Sequence, residues 1–167
     1  MSESPRILVL GIGNPLLHDD GVGLLVLERL RACRDNWDAD IEFIDGGTQG
    51  LALLGVIADR KAVVILDAIT LGAEPGTIYQ LNGTEILSYI TDKPISAHEG
   101  GAPEILQSLL MINEIPDIVK IVGIEPELLM TGIGISPNVE KSIPQAIVAI
   151  SKTIDEIHLT LSRGELQ

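Results

Sequence analysis

Side chains that can bind a metal or move a proton stand out at three places in this sequence. Asp19 and Asp20 end the stretch "GIGNPLLHDD", which begins within the apolar run Ile7–Ile12. Asp67 follows the aliphatic run "AVVIL", and His98 lies in the glycine-rich stretch "ISAHEGG". A carboxylate placed like Asp67 costs several kcal/mol to bury unless it is paired or bound to a cation. Two carboxylates and an imidazole suit Ni²⁺ or Zn²⁺ better than Mg²⁺.

Plainer roles for the same residues stay open. Asp19 and Asp20 precede a predicted helix, where carboxylates complement the helix dipole, so at least one of them is expected to act as a cap. Asp67 could cap the turn that follows it. The chain has no HExxH motif and no paired cysteines, so a tight permanent zinc site is not indicated. A triad of Ser96, His98 and Asp67 is disfavoured because the G-x-S-x-G motif is absent.

The turn after the first strand is also similar to a nucleotide-binding turn. "GIGNPL" matches G-x-G, and Asp45 ends the second predicted strand, where a ribose-binding acid often lies. Leu16, however, stands where the third glycine would be. A phosphate charge about 6 Å from an aspartate is repelled by roughly 3 kcal/mol at an effective dielectric near 20. The two aspartates therefore make this helix start better suited to a metal or a basic group than to a phosphate.

Hydrophobic periodicity predicts strands that alternate with amphipathic helices. The predicted strands are 7–12, 41–45, 62–67, 77–81 and 117–123, and the predicted helices are 21–34, 51–58, 84–90, 102–113 and one from residue 137 onward, capped by Ser136. This order predicts an α/β fold: one domain over residues 1–167, a three-layer α/β/α sandwich with a mostly parallel sheet of about five strands. The strand at 77–81 is expected at an edge and antiparallel. A 2-1-3 start to the strand order would place Asp20 and Asp67 at one crevice.

Composition narrows the range of functions. The 167 residues carry a net charge of −13 and only 2% aromatics, which disfavours nucleic acid and anionic membranes as partners. The single cysteine, Cys33, excludes an internal disulfide and fits a reducing cytosol. Cys33 falls on the apolar stripe of the helix at 21–34 and is expected in the core. No run approaches the roughly 20 apolar residues of a membrane span, so a cytoplasmic protein is expected.

Six stretches, in order, resemble the hydrogenase maturation endopeptidases along nearly the whole chain. They are "LGIGNPLLHDDGVG", "DGGTQG", "LDAI", "ISAHEGG", "VGIEPE" and "TGIGISP". The resemblance implies an aspartic-type endopeptidase that trims a C-terminal extension from the large-subunit precursor of a nickel–iron hydrogenase. It implies that Asp20, Asp67 and His98 contact nickel that belongs to the precursor, with no permanent cofactor in the protease. It also implies that Asp45 handles the substrate. Gly46 and Asp19 are further candidates for substrate binding, and Asp19 is alternatively expected to cap the helix or to support Asp20. A monomer is expected.

The resemblance leaves the mechanism open. The substrate nickel could polarise the scissile carbonyl or the attacking water. Alternatively, a carboxylate could act as general base while nickel serves only for docking. Two other functions also stay as alternatives. One is a non-catalytic assembly chaperone that senses nickel, and the other is a nucleotide-binding module.

Overall fold

The computed structural model describes residues 6–37, 40–92 and 100–164. Five strands form one sheet in the order β2-β1-β3-β5-β4. Strands β1, β2, β3 and β5 are parallel, and β4 pairs antiparallel with β5 at one edge. The strands are β1 (Ile7–Ile12), β2 (Ile41–Gly47), β3 (Ala62–Ala68), β4 (Ile78–Asn82) and β5 (Ile118–Ile124). The predicted mostly parallel sheet, its 2-1-3 start and its antiparallel edge strand are confirmed.

In the described part of the chain, five α-helices cover the two faces of the sheet. They are α1 (Val22–Arg31), α2 (Leu54–Ala58), α3 (Thr84–Asp92), α4 (Ala102–Met111) and α5 (Pro137–Ser162). Short 3-10 turns precede α1 at His18–Gly21 and α2 at Gly50–Leu53. Among the described residues, no helix combines the length and the apolarity needed to cross a lipid bilayer.

The alternation of side chains along the strands separates two hydrophobic cores. In β3, Val64 and Leu66 point into the core beneath α1 and α5, whereas Val63 and Ile65 point into the core beneath α2, α3 and α4. Both faces of β3 are therefore buried, as its continuous aliphatic sequence predicts. The result is the predicted three-layer α/β/α arrangement, with β1 and β3 at the centre of the sheet.

Helix α1 is shorter than predicted, and Cys33 is not in the core. The helix ends at Arg31, and the chain then forms a 3-10 turn at Arg34–Asn36. Cys33 precedes this turn and is exposed to solvent. The apolar spacing in the sequence continues past the end of the helix. The helical backbone that would keep Cys33 on the buried stripe ends before this residue. The expectation of a buried Cys33 is therefore wrong.

Gly23 allows α1 to lie directly on the two central strands. A Cβ atom at this position would overlap the carbonyl oxygens of Ile12 and Leu66. Glycine thus permits a closer contact between helix and sheet than any other residue would. Because Gly23 comes three residues after Asp20 and Leu66 comes just before Asp67, this contact also sets the separation of the two candidate site residues.

We predict that Gly23→Ala lowers the free energy of unfolding by about 1–3 kcal/mol, because the added methyl group meets rigid backbone oxygens. Gly55→Ala, in α2, is the matched control: no atom lies within 4 Å of the added Cβ. It should be neutral or stabilise by up to about 1 kcal/mol, because alanine is the better helix former. Urea denaturation measures both changes. Equal effects of the two substitutions would contradict the close contact at Gly23.

Candidate active site

The candidate site lies at the carboxyl edge, defined here as the edge of the sheet where β1, β2, β3 and β5 end. Asp20 belongs to the His18–Gly21 turn after β1, and Asp67 is the penultimate residue of β3. The two strands are neighbours, and Cα atoms of the His18–Gly21 turn lie within 8 Å of Cα atoms in β3. The fold thus places the backbone of these two aspartates at adjoining strand ends, where the sequence predicts a crevice.

Asp20 is held by the turn that precedes it. The backbone N–H of Asn14 donates a 2.8 Å hydrogen bond to Oδ2 of Asp20. Gly13 has a φ of 135° and lies so close to the carbonyl of Asp20 that a Cβ atom would overlap it. The "GIGN" sequence therefore wraps its backbone around the aspartate, where a phosphate loop would wrap around a phosphate. The side chain of Asp20 remains partly exposed.

Asp67 is nearly buried, with 8% of its surface exposed. The alternation along β3 directs its side chain to the same face as Ile65, towards α3 and α4. Tyr89 of α3 also lies on this face, and its pKa is raised by burial and by the negative charge of Asp67. Sequence reasoning did not identify Tyr89, because only the packing of α3 brings it near Asp67.

Asp19 differs sharply from its neighbour Asp20, because it has no exposed surface. Its carboxylate accepts hydrogen bonds from the backbone N–H groups of Glu127 (2.9 Å), Leu128 (2.8 Å) and Ser136 (2.7 Å), and from the Ser136 hydroxyl (2.8 Å). Burial alone would raise the pKa of Asp19, but these four donors outweigh it and hold the pKa below its ordinary value.

Two expectations about this contact need correction. Asp19 was expected to handle substrate, but its carboxylate is enclosed and bound by protein donors, so it anchors the loop between β5 and α5. Ser136 was expected to cap α5 with its side chain. It does occupy the residue before the helix, but its hydroxyl binds Asp19 and makes no capping bond.

Glu125 is a second buried carboxylate at this edge, with 4% of its surface exposed, and it was not predicted as an individual residue. It accepts hydrogen bonds from the N–H groups of Leu71 (2.8 Å) and Gly72 (3.3 Å) and from the hydroxyl of Tyr79 (2.5 Å). Burial raises the pKa of Glu125, but the bonds from Tyr79 and from the loop backbone lower it below its ordinary value. Glu125 thus fixes the loop that follows Asp67.

Asp45 and Gly46 lie at the end of β2, one strand away from the Asp20 turn. Asp45 is exposed, and its backbone pairs with Gly11 of β1. Gly46 is buried, and a Cβ atom there would lie 2.9 Å from side-chain atoms of Leu10 and of Leu53. Asp45 is therefore accessible to a substrate at the carboxyl edge, whereas Gly46 lets the chain pass close over the core.

His98 lies outside the described residues. Gly100, two residues further along the chain, packs against Gly50 beside the end of β2. Among the residues that the structure does describe, no three His, Cys, Asp or Glu side chains group in a way that could hold a metal ion. The described part of the site therefore contributes two carboxylates, Asp20 and Asp67, from separate elements.

Fold and site together define an α/β protein with two carboxylates, Asp20 and Asp67, at the adjoining ends of β1 and β3. Comparison with known proteins identifies the protein family. The profile of the family described as "Hydrogenase maturation protease" matches residues 25–153. "Hydrogenase 2 maturation protease" of Escherichia coli (strain K12) is 38% identical over 152 residues, which cover 90% of this chain and 92% of the relative. "Hydrogenase expression/formation protein HupD" of Thiocapsa roseopersicina is 33% identical over 168 residues, 99% of this chain and 75% of the relative.

Solved structures agree with this assignment. The hydrogenase maturating endopeptidase HybD from E. coli superposes with a TM-score of 0.79 at 36% identity, covering 90% of this chain and 93% of that one. The chain therefore belongs to the hydrogenase maturation protease family. It is a hydrolase of peptide bonds, and the resemblance drawn from the six sequence stretches is confirmed for the family, the fold and the assignment to the peptidases.

We predict that Glu125→Gln lowers the free energy of unfolding at neutral pH by about 1–3 kcal/mol, because buried donors lose a charged acceptor. The pKa of Glu125 is lowered in the folded chain, so its contribution is complete above the ordinary value of 4.5 and is lost as pH falls through the folded pKa. The difference between wild type and variant should therefore stay constant from about pH 7 down to the ordinary pKa of 4.5 and shrink at lower pH.

Urea denaturation at several pH values measures this difference. Glu114→Gln, at an exposed glutamate, is the matched control and should stay within about 0.5 kcal/mol of wild type. A difference for Glu125→Gln that does not shrink at pH values below 4.5 would contradict a charged, loop-fixing role for Glu125.

Proposed function

We propose that this chain is an endopeptidase that removes the C-terminal extension from the nickel-loaded large-subunit precursor of a nickel–iron hydrogenase. The nickel of the precursor would be the signal that the precursor is ready to be cut. The observation that carries the proposal is the placement of Asp20 and Asp67 at adjoining ends of β1 and β3 in a member of this peptidase family.

In the proposal, nickel is part of the substrate and is held by Asp20, Asp67 and His98. Carboxylate and imidazole ligands suit a divalent transition metal, and ligands from separate elements suit transient contact with a metal held mainly by another protein. Asp67 supports this role because it is a nearly buried acidic side chain at the end of β3, next to the end of β1. The position of Gly100 beside the end of β2 supports a role for His98, which is two residues away in the chain.

Two catalytic roles are compatible with this arrangement. The nickel could polarise the scissile carbonyl or the attacking water, so that Asp20 and Asp67 act through the metal. Alternatively, one of the two carboxylates could act as general base in an aspartic-type mechanism, with nickel used only for docking. In either case we propose that Asp45, with the backbone at Gly46, contacts the substrate chain; the exposure of Asp45 near the end of β2 supports this role.

The deciding experiment incubates the chain with a nickel-loaded large-subunit precursor and follows the precursor mass by mass spectrometry. We expect loss of a C-terminal fragment. We also expect that the same precursor prepared without nickel stays intact. Binding without shortening would favour the alternative of a nickel-sensing assembly chaperone. Equal cutting with and without nickel would contradict nickel as the recognition signal.

We predict that Asp67→Asn reduces cleavage of the precursor by about 100-fold or more, because it removes a charge that acts either on the metal or on a proton. Precursor affinity, measured in parallel, separates the two roles. If affinity and cleavage fall together, Asp67 works in docking; if affinity is retained and cleavage is lost, its role is catalytic.

Asp59→Asn is the control for this experiment. Asp59 is exposed and follows α2 just before β3 begins, at the opposite edge of the sheet. The Asp59→Asn variant should cut the precursor at the wild-type rate, and circular dichroism should show that both variants are folded. Wild-type cleavage by Asp67→Asn would remove Asp67 from the proposed site.

A further inference from the structure

Two loops at the carboxyl edge behave structurally as one unit. The loop between β1 and α1 bonds to the loop between β5 and α5 through Gly132, whose N–H donates to the carbonyl of Leu16 (2.8 Å) and whose carbonyl accepts from the N–H of His18 (3.0 Å). The N–H of Asp19 donates to the carbonyl of Leu128 (3.0 Å), in addition to the four bonds that its carboxylate accepts. The loops are therefore held in one arrangement.

This paired unit presents large apolar side chains to solvent. Leu16 is 59% exposed, Met130 is 63% exposed and Ile133 is 82% exposed. Leu16 and Ile133 flank the pair Leu17 and Gly132, which forms a parallel β-bridge, and Met130 lies two residues before Gly132. Single exposed apolar residues are normal, but three on two bonded loops form a patch that needs an explanation.

The two stretches that carry these three residues are also uncharged in a strongly acidic protein. Residues 7–17 and 128–139 contain no Asp, Glu, Lys, Arg or His, although the chain carries a net charge of −13. Acidic segments of a partner are repelled by such a chain. The two stretches themselves offer no charged side chain to a charged segment; the exposed Glu127 precedes the second stretch, and His18, whose ring lies against Gly132, follows the first. An uncharged apolar segment is the kind of ligand that this surface suits.

We infer that Leu16, Met130 and Ile133 form a docking surface for an uncharged, apolar segment of the precursor near the bond that is cut. This inference rests on the proposed function, because it assigns part of the precursor to a surface that adjoins Asp20. A peptidase must hold its polypeptide beside the reacting bond, and this patch begins four residues before Asp20 in the same loop. The fixed loops lower the entropy cost of binding, because they need no ordering when the segment arrives.

The test compares the double variant Met130→Ser/Ile133→Ser with Met111→Ser. Met111 is 86% exposed and ends α4, so it is an equally accessible apolar residue outside the patch. The double variant should raise KM for the precursor by about tenfold or more, with a much smaller change in kcat, because it removes binding surface and no reacting group. Met111→Ser should leave both constants unchanged, and all three proteins should have the same Tm.

The outcomes separate this inference from the proposed function. If wild type cuts the precursor and the double variant does so with unchanged KM, or if Met111→Ser raises KM equally, the docking surface is wrong. If wild type binds the precursor without cutting it, the proposed function fails, and the affinities of the two variants still test the surface. If wild type neither binds nor cuts, both are overturned.

Discussion

A carboxylate with no exposed surface joins two loops that are far apart in the chain and adjacent at the carboxyl edge. Asp19 accepts hydrogen bonds from residues 108 to 117 positions away, and its own N–H donates to the same distant loop. Removing such an acceptor would leave several buried donors unsatisfied, each at a cost of about 1–3 kcal/mol. The arrangement of Asp20, the course of residues 127–136 and the apolar patch all follow from this contact.

Adjacent aspartates therefore have separate duties. Asp19 faces inward and supports the structure, while Asp20 stays partly exposed on a backbone turn closed by the N–H of Asn14. Glu125 has the same structural role as Asp19, because its buried carboxylate fixes the loop that follows Asp67. Asp20 is partly exposed and Asp67 is nearly buried. Each lies beside a loop that another, buried carboxylate holds in place: Asp19 in the case of Asp20, and Glu125 in the case of Asp67.

The sequence was sufficient for the features that depend on local patterns. The aliphatic runs predicted the strands, and the 2-1-3 start placed Asp20 and Asp67 at one crevice. It was insufficient where distant residues decide. Nothing near Asp19 distinguishes it from Asp20, because the donors that bury it come from the far end of the chain. Tyr89 and Glu125 gain their neighbours only through tertiary packing. Cys33 is exposed, and not in the core as expected, because α1 ends two residues before it. His98 remains a prediction.

The reversed direction of β4 has a consequence for how the chain is routed. Because β4 runs antiparallel to β5, it carries the chain away from the carboxyl edge, and α3 then carries it back, so that Tyr89 near the end of α3 lies close to Asp67. Helix α4 starts beside the end of β2, next to Gly50, and leads away again to β5. A single reversed strand thus brings both the end of α3 and the start of α4 to the carboxyl edge.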